Sequence, residues 1–496
     1  MVLEVLGTRV IAPFYGVGLF VWTALLAVTL VSLAIGYRVG GTLADRRGSG
    51  LLSAVIAGAA LFIALIPVVR TAVLQSTDPL GLRLGSLTAA LVLFGGPLTL
   101  LGMVCPYIVR LRAERIDSVG STAGAIFAVS TCGSVVGTLL VGFVLLPGFG
   151  TRTVLLGVSG VLLLLAAVVF IGERRLRASG PGLATLAVGI CVWLVAAASS
   201  VAAVPAADER FDVVHQAESL YGRVRVVDEP EQNLRWMLVD ASVIGAQYRG
   251  STDVPLPYLY VLEGLAELRP QARRALVIGL GAGYLPGALA RQGLEVDTIE
   301  IDPEVVRAAE TYFGFKAPGA LIIGDARYEV RRLERRYDIV IHDCFTGGEM
   351  PSHLFSLEML QALRARLEPG GILATNFFGL NEGARASALS AVATTLDAAF
   401  SHRLTLAPMP GAELFDRLFI VSDGPLDLPG PQATRPLSAR ALEAFASLPS
   451  KVVSLPAVPG LVVTDDDNPL ELLQLRKGEA YRRLMREHFG LPLLAQ

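Results

Sequence analysis

Charged residues are scarce in the first 204 residues of this 496-residue chain, and this scarcity constrains its fold more than any other feature. The stretch holds 19 of the 86 aspartates, glutamates, lysines and arginines, and 53% of the whole chain is hydrophobic. Each of its apolar runs is close to the length that crosses about 30 Å of hydrocarbon. These runs cover residues 18–37, 51–69, 84–109, 122–146, 153–171 and 182–204. We therefore predict a helical, multi-pass membrane domain over residues 1–204.

The apolar segment before Pro13 is too short to cross a bilayer, so the predicted domain has about seven helices with a shortened first one. Glu4 lies within this segment, where an unpaired carboxylate is costly. We hypothesise that the natural product begins upstream of Met1. Mass spectrometry of the native N-terminus tests this, and an initiating Met1 would contradict it.

A second constraint is the strand, glycine turn, helix and strand unit at residues 274–302. The apolar run 275–278 is typical of a strand that is buried on both faces. Three glycines, which let a ligand approach the backbone closely, follow it at Gly279, Gly281 and Gly283. A second apolar strand ends at Glu300 and Asp302, where a carboxylate can accept hydrogen bonds from ribose hydroxyls. The unit predicts a nucleoside-cofactor site, and a bare packing turn is the alternative.

Further apolar runs continue this alternation of strands and helices. They lie at residues 320–323, 337–342, 371–376 and 418–421. Asp325 follows the first of these and Asp343 the second, so both acids join the carboxyl ends of strands, where ligands bind in doubly wound parallel sheets. The pattern predicts an α/β fold with a Rossmann-like, methyltransferase-type domain. The predicted segments are a β-rich piece at 205–265, the Rossmann-like domain at 266–425 and a helical tail at 426–496.

Composition excludes some functions. The net charge is −2 with a pI near 6.3, and we find no basic, aromatic-interleaved face, so we expect no nucleic-acid partner. The four cysteines and five histidines are scattered without metal-ligand spacing, so we expect no metal. Acidic residues exceed basic ones after residue 204, which suits a cationic substrate, although an ordinary solvated surface explains the excess equally well.

The motifs of the C-terminal half resemble those of the spermidine synthase (polyamine aminopropyltransferase) family. They are ESLYGRVRVV with MLVD, VIGLGAG, TIEIDPEVV, GDAR, YDIVIHDCF, PSHLFSLEML and LEPGGILATN. The whole chain resembles the membrane-fused bacterial members, and GGTLADRRG is similar to a loop of major-facilitator transporters. The resemblance implies aminopropyl transfer from decarboxylated S-adenosylmethionine to an amine such as putrescine. It also implies a homodimer or homotetramer that pairs through the β-rich segment.

Roles for individual residues follow from the same resemblance. Asp343 corresponds to the acid that orients and deprotonates the attacking amine; a helix-capping or turn residue is the alternative. Glu300 corresponds to the ligand of the ribose hydroxyls, and Asp325 with Ala326 to the residues that face the adenine. Tyr258 corresponds to a tyrosine near the substrate, and the alternative for it is an interfacial or core aromatic.

Three positions depart from the family pattern. Ala282 replaces an acid that grips the aminopropyl ammonium, Thr346 replaces the second substrate-binding acid, and Ile244 replaces a glutamine. Each lost anion removes a charge-assisted hydrogen bond, which is the stronger kind. We therefore expect a retained adenosine pocket and a weakened amine pocket. This leaves an S-adenosylmethionine-dependent methyltransferase, or another adenosyl-group transferase, as an alternative function.

An acidic turn at residues 464–469 is similar to a recurrent element of the membrane-fused members. Asp465 and Asp466 are candidates to hold an amine at the mouth of the site. The alternative is a turn that caps the helix at 470–476, because acids are favourable at a helix N-terminus.

A transporter or sensor that binds a nucleoside or polyamine without turnover is a further hypothesis, which the transporter-like loop supports. Against it, the spans are fewer than twelve, and few polar residues mark a path through the membrane.

The side of the membrane on which the C-terminal half works is predicted in two conflicting ways. The loops 38–50, 110–120 and 172–180 carry three arginines each, and such loops are usually cytoplasmic. If 182–204 is then one complete span, parity puts the C-terminal half outside. Adenosine-type cofactors are made and kept in the cytosol, however, and for that reason we favour the cytoplasmic side.

Overall fold

The computed structural model describes the chain except residues 17, 48–50, 113–118, 147–148, 176–180, 202–209, 346–349, 381–387, 410–413, 429, 431, 456–460 and 496. The chain divides into two compact units. The first comprises Met1–Pro205 and Leu491–Gln496, and the second comprises Ala206–Gly490.

The first unit is built from helices. They span Val2–Tyr15, Leu19–Arg47, Leu52–Thr77, Gly81–Arg112, Val119–Leu140, Thr151–Arg175 and Gly182–Val201. Among the described residues, four helical stretches are long and apolar enough to cross a membrane: Leu19–Arg46, Leu52–Arg112, Gly120–Leu145 and Thr151–Arg174. The second stretch contains two of the predicted spans, so five of the six predicted spans fall in these stretches. The sixth falls on Gly182–Ala198, which is apolar but shorter.

The second unit begins with a four-stranded antiparallel sheet. Its strands, in the order β1-β2-β3-β4, are β1 (Asp212–Glu218), β2 (Arg223–Glu229), β3 (Leu234–Val239) and β4 (Ser242–Tyr248). Asn233 has a φ of 55° just before β3, a conformation that asparagine tolerates better than most residues. The sheet lies within residues 205–265, where the sequence predicts a β-rich piece.

A seven-stranded sheet follows, in the order β10-β11-β9-β8-β5-β6-β7. Its strands are β5 (Arg274–Ile278), β6 (Glu295–Glu300), β7 (Leu321–Ile323), β8 (Tyr337–His342), β9 (Leu367–Leu380), β10 (His402–Leu406) and β11 (Leu414–Ser422). Strands β5 to β9 pair in parallel, which confirms the Rossmann-like fold class. The sheet is mixed, however, because β11 is antiparallel to both β9 and β10. The connection between β10 and β11 is too short for a crossover, so these strands pair as neighbours in antiparallel fashion.

Both faces of this sheet are covered, as the apolar strands predict. Leu276 and Ile278 face one core, which includes residues of helices Leu357–Arg364 and Ala388–Ala399. Ala275 and Val277 face the other core, with helices Pro257–Glu263, Tyr284–Arg291 and Ala439–Ala446. The remaining helices are Pro303–Tyr312, Ala326–Arg332, Leu448–Lys451, Leu470–Leu473 and Leu475–Ala495, the last kinked at Gly490. The parallel register brings the carboxyl ends of β5, β6, β7 and β8 to one edge of the sheet.

Candidate functional site

The turn after β5 contains three glycines because side chains do not fit at those positions. Gly279 and Gly281 have φ values of 94° and 54°, and Gly283 has 84°. A Cβ atom on Gly279 would lie 2.1 Å from the backbone oxygen of Asp343. A Cβ atom on Gly281 would lie 2.5 Å from the backbone oxygen of Ile244. Glycine is therefore required for both the conformation and the close approach at this turn.

Glu300, at the end of β6, is buried beside this turn and lines the cavity described below. Its Oε2 accepts a hydrogen bond from the Leu280 N–H at 2.9 Å, and its Oε1 accepts one from the Asp302 N–H at 3.0 Å. Burial raises the pKa of this carboxyl above its ordinary value. The two backbone donors hold the carboxylate in one orientation against the glycine turn.

We expect Glu300→Gln to weaken binding of an adenosine thioether such as methylthioadenosine by roughly 10- to 100-fold. A hydrogen bond to a charged group contributes about 1.5–3 kcal/mol, and about 1.4 kcal/mol corresponds to tenfold in affinity. Isothermal titration calorimetry on the purified chain measures this. Glu295→Gln, at the exposed start of the same strand, is the matched control. Equal affinities in the two variants would remove Glu300 from the site.

Asp302 and Asp325 both line the cavity, and both also cap helices. Asp302 Oδ1 accepts from the Glu304 N–H at 2.8 Å, and its Oδ2 accepts from the Ser219 hydroxyl at 2.5 Å. Asp325 Oδ1 accepts from the Arg327 and Tyr328 N–H groups. Both oxygens of Asp302 are thus engaged within the protein, whereas the observed hydrogen bonds of Asp325 use one oxygen. Ala326, the first residue of the helix that Asp325 caps, is buried and also lines the cavity.

Asp343, directly after β8, is held from both sides. Its Oδ2 accepts a hydrogen bond from the Tyr258 hydroxyl at 3.2 Å, and its Oδ1 accepts one from the Asn376 side-chain amide at 3.0 Å. Burial raises the pKa of Asp343. Burial, together with the nearby charges of Asp343 and Asp416, raises the pKa of Tyr258 well above its ordinary value. The tyrosine therefore stays protonated and donates to the carboxylate.

Three further residues that line the cavity were not predicted as site residues: Asn376, Asp416 and Tyr481. Asn376 Nδ2 donates a second hydrogen bond, of 3.1 Å, to Asp416 Oδ1. Tyr481 belongs to the last helix, and its hydroxyl accepts from the Val243 N–H at 3.1 Å. A charged residue inside the apolar run of β11 is the signal that could have drawn attention to Asp416, since such residues are rarely buried without a partner.

One cavity of about 450 Å³ joins these groups. This volume lies within the usual range for small-molecule sites. Gly279, Gly281, Glu300, Asp302 and Asp325 line one part of it, whereas Gly283, also predicted to bind the cofactor, is not among the lining residues. The Asp343–Asn376–Asp416 group lines another part. Aromatic and apolar side chains complete the wall; they include Trp236, Phe345, Phe378, Tyr481, Met485 and Phe489.

The three positions that depart from the family pattern have different outcomes. Ala282, which replaces an acid, and Ile244, which replaces a glutamine, both line the cavity. Both replacements therefore affect the space that a ligand can occupy. Thr346, predicted on the substrate side, lies outside the residues that the structure describes.

The acidic turn contacts the start of the helix Ala326–Arg332. Asp465 forms an ion pair with Arg327, and its N–H donates to Glu358 at 3.0 Å. Asn468 Oδ1 accepts from the Leu470 N–H at 3.2 Å, at the start of the next helix. Asp465 and the exposed Asp466 are not among the described residues that line the cavity. The roles predicted for them at the mouth of the site therefore rest on the sequence alone.

The fold defines a Rossmann-like, methyltransferase-type domain, and a cavity lies beside its strand-end carboxylates. Residues 263–405 match the family Spermine/spermidine synthase domain. A spermine/spermidine synthase domain thus lies in the C-terminal region, at residues 263–405, which confirms the resemblance seen in the sequence.

Two curated relatives represent two activities. The N-terminal histidine N-methyltransferase of Emericella nidulans is 36% identical over 195 residues, which cover 35% of this chain and 35% of that protein. The polyamine aminopropyltransferase of Vibrio vulnificus is 33% identical over 183 residues, which cover 34% and 60%. This chain therefore spans about a third of the length of the first relative and 60% of the second. The crystal structure of a probable spermidine synthase from Corynebacterium glutamicum is 16% identical with a TM-score of 0.39, covering 50% of this chain and 98% of its own.

Proposed function

We propose that the C-terminal half transfers an aminopropyl group from decarboxylated S-adenosylmethionine to an amine such as putrescine. The observation that carries the proposal is the Asp343–Asn376–Asp416 group, in which two carboxylates share one amide donor beside the cavity. An uncharged amide does not balance two partly buried carboxylates, so this end of the cavity favours a cation. A protonated amine is such a cation, and once it has lost a proton it is the neutral nucleophile that this reaction requires.

In this reaction, the chain's own residues would position the two substrates and accept a proton. Glu300 and the glycine turn would hold the adenosine part of the donor, with Asp325 and Ala326 at the adenine. The acceptor nitrogen loses a proton to Asp343 and attacks the carbon next to the sulfonium. The new C–N bond forms, the C–S bond breaks, and its electron pair stays on sulfur in the departing methylthioadenosine. A carboxylate facing the amine is suited to this task because it anchors the cation and accepts its proton.

N-methylation of an amine by S-adenosylmethionine is a second candidate. The N-methyltransferase relative at 36% identity favours it, and so does Ala282, which leaves the glycine turn without the acid that would grip an aminopropyl ammonium. Both reactions place an alkyl group from a sulfonium donor on an amine. Both would therefore use the part of the cavity that the Asp343–Asn376–Asp416 group lines.

Product analysis distinguishes these functions. Full-length protein purified in detergent is incubated with putrescine and with either S-adenosylmethionine or its decarboxylated form, and the products are measured by mass spectrometry. Release of methylthioadenosine supports the aminopropyl transfer that we propose. Adenosylhomocysteine supports methylation, and ligand binding without either product supports a sensor. The Asp343→Asn protein controls for spontaneous breakdown of the donor.

We also propose that the first unit anchors the enzyme in the cell membrane with the C-terminal half on the cytoplasmic side. The four long apolar stretches support the anchor, and the cytosolic origin of the donor supports the side. A reporter enzyme fused after Gln496 tests this. Activity of a periplasm-dependent reporter would contradict the cytoplasmic side and support the arginine-loop parity.

A further inference from the structure

Asp416 lies on the antiparallel strand β11, opposite Phe378 of β9. Because the two strands run in opposite directions, the first part of β11 lies beside the end of β9 and beyond Asn376. Asp416 thereby reaches the same edge of the sheet as Asp343, although the two residues belong to different strands. Its side chain lines the cavity.

Asn376 links the two acids through a single nitrogen. An amide nitrogen carries two hydrogens, and here one points to Asp343 at 3.0 Å and the other to Asp416 at 3.1 Å. Asp343 has a second donor in Tyr258, at 3.2 Å, whereas the one side-chain donor observed for Asp416 is Asn376. A ligand with N–H donors at this place can therefore add to the hydrogen bonds of Asp416.

The groups that face Asp416 from neighbouring elements are Asp343, Tyr258 and Tyr481. Burial raises the pKa of Tyr481 to about 12, so it is uncharged at neutral pH, as is Tyr258. Arg417 follows on the same strand, and its guanidinium stacks 3.9 Å from the centroid of the Phe415 ring. No lysine or arginine is among the described residues that line the cavity. The positive charge that two carboxylates require is thus expected from a ligand.

We propose that Asp416 is a second amine-binding carboxylate, which grips the ammonium group of the acceptor together with Asp343 and must be ionised for the amine to bind. This inference rests on the proposed function for the identity of the amine. Burial, together with the charge of Asp343, raises the pKa of Asp416 to about 7. The carboxylate form therefore prevails above about pH 7, and amine affinity is lost as the pH falls through this value.

Calorimetric titration of putrescine into the full-length protein saturated with methylthioadenosine tests the inference without requiring turnover. We expect Asp416→Asn to weaken putrescine binding by roughly 10- to 100-fold, the usual loss for a charged hydrogen-bond partner. The affinity for methylthioadenosine itself should stay within about threefold, since Asp416 faces the amine end. Asp423→Asn, just past the same strand and ion-paired at the surface with Arg364, is the matched control. In turnover assays the loss should appear mainly as a higher KM for the amine.

The wild-type protein provides a second test that needs no variant. Between pH 8 and pH 6 its putrescine affinity should fall about tenfold, because a group with a pKa near 7 goes from about 90% to about 10% ionised. About one proton should be released per putrescine bound at pH 6 and close to none at pH 8, as measured in buffers of different ionisation enthalpy. Unchanged putrescine affinity in Asp416→Asn, or pH-independent binding without proton release, would overturn the inference. Putrescine binding that needs Asp416 but gives no product would instead uphold the inference and contradict the proposed function.

Discussion

Asp343→Asn is expected to lower kcat for amine transfer by about 1,000-fold while leaving methylthioadenosine affinity within about threefold. A positioned base contributes roughly 10²- to 10⁴-fold to such a step, and here the same carboxylate also anchors the cation. Asparagine keeps the shape of the side chain and can still accept the hydrogen bond that Asn376 donates at 3.0 Å. It has no negative charge and cannot take the proton of the amine.

Initial rates of thioether release, with calorimetry of methylthioadenosine on the same samples, measure both quantities. Tyr258→Phe is an informative companion because it removes the 3.2 Å hydrogen bond to Asp343 but keeps the carboxylate. We expect its rate to fall by about tenfold, in line with the loss of one hydrogen bond to a charged group. Wild-type rates in Asp343→Asn would exclude this residue from the reaction and leave it as a structural turn residue.

Gly279→Ala is expected to reduce the free energy of unfolding by about 3 kcal/mol, combining backbone strain with overpacking. The φ of 94° is unfavourable for alanine, and the new Cβ would lie 2.1 Å from the backbone oxygen of Asp343. The backbone that carries Asp343 would have to move, so nucleoside binding and turnover should both be lost.

Thermal unfolding of the purified chain compares this variant with Gly293→Ala. Gly293 has a similar φ of 86°, but a Cβ atom at that position would have no neighbour within 4 Å. A loss of about 1 kcal/mol is therefore expected for Gly293→Ala, or about 2–4 °C in Tm, against about 6–12 °C for Gly279→Ala. Equal shifts would show that the close approach to Asp343 is unimportant.

The acids at the ends of the parallel strands are predictable from the sequence for a simple geometric reason. A run of apolar residues identifies a buried parallel strand, and an acid at its end or just past it must lie at the carboxyl edge of the sheet. Glu300, Asp325 and Asp343 follow this rule, and all three line the cavity. Their placement depends on local order along the chain, which a sequence displays directly.

Asp416 and Tyr481 do not follow that rule. Asp416 reaches the site only because β11 runs antiparallel to β9, and the direction of a strand depends on the connection before it. Tyr481 comes from a helix more than a hundred residues after Asp343 in the chain, so no local pattern places it beside Val243. Such long-range contacts are set by tertiary packing.

Asp302 shows a second reason why the role of a residue cannot always be predicted from the sequence. An acid before proline and a helix is equally typical of a cap and of a ribose ligand. In the structure, one carboxylate oxygen of Asp302 accepts from the Glu304 N–H and the other accepts from the Ser219 hydroxyl. The observed role of Asp302 is therefore helix capping. The role of Asp302 in nucleoside binding stays a prediction.

Titration of methylthioadenosine into the purified, full-length chain tests most directly whether bare glycine backbone and strand-end carboxylates form an adenosine site. Saturable binding to one site per chain, weakened by Glu300→Gln and abolished by Gly279→Ala, is the predicted result. Failure to detect binding of methylthioadenosine, adenosylhomocysteine or either sulfonium donor to folded protein would contradict the account.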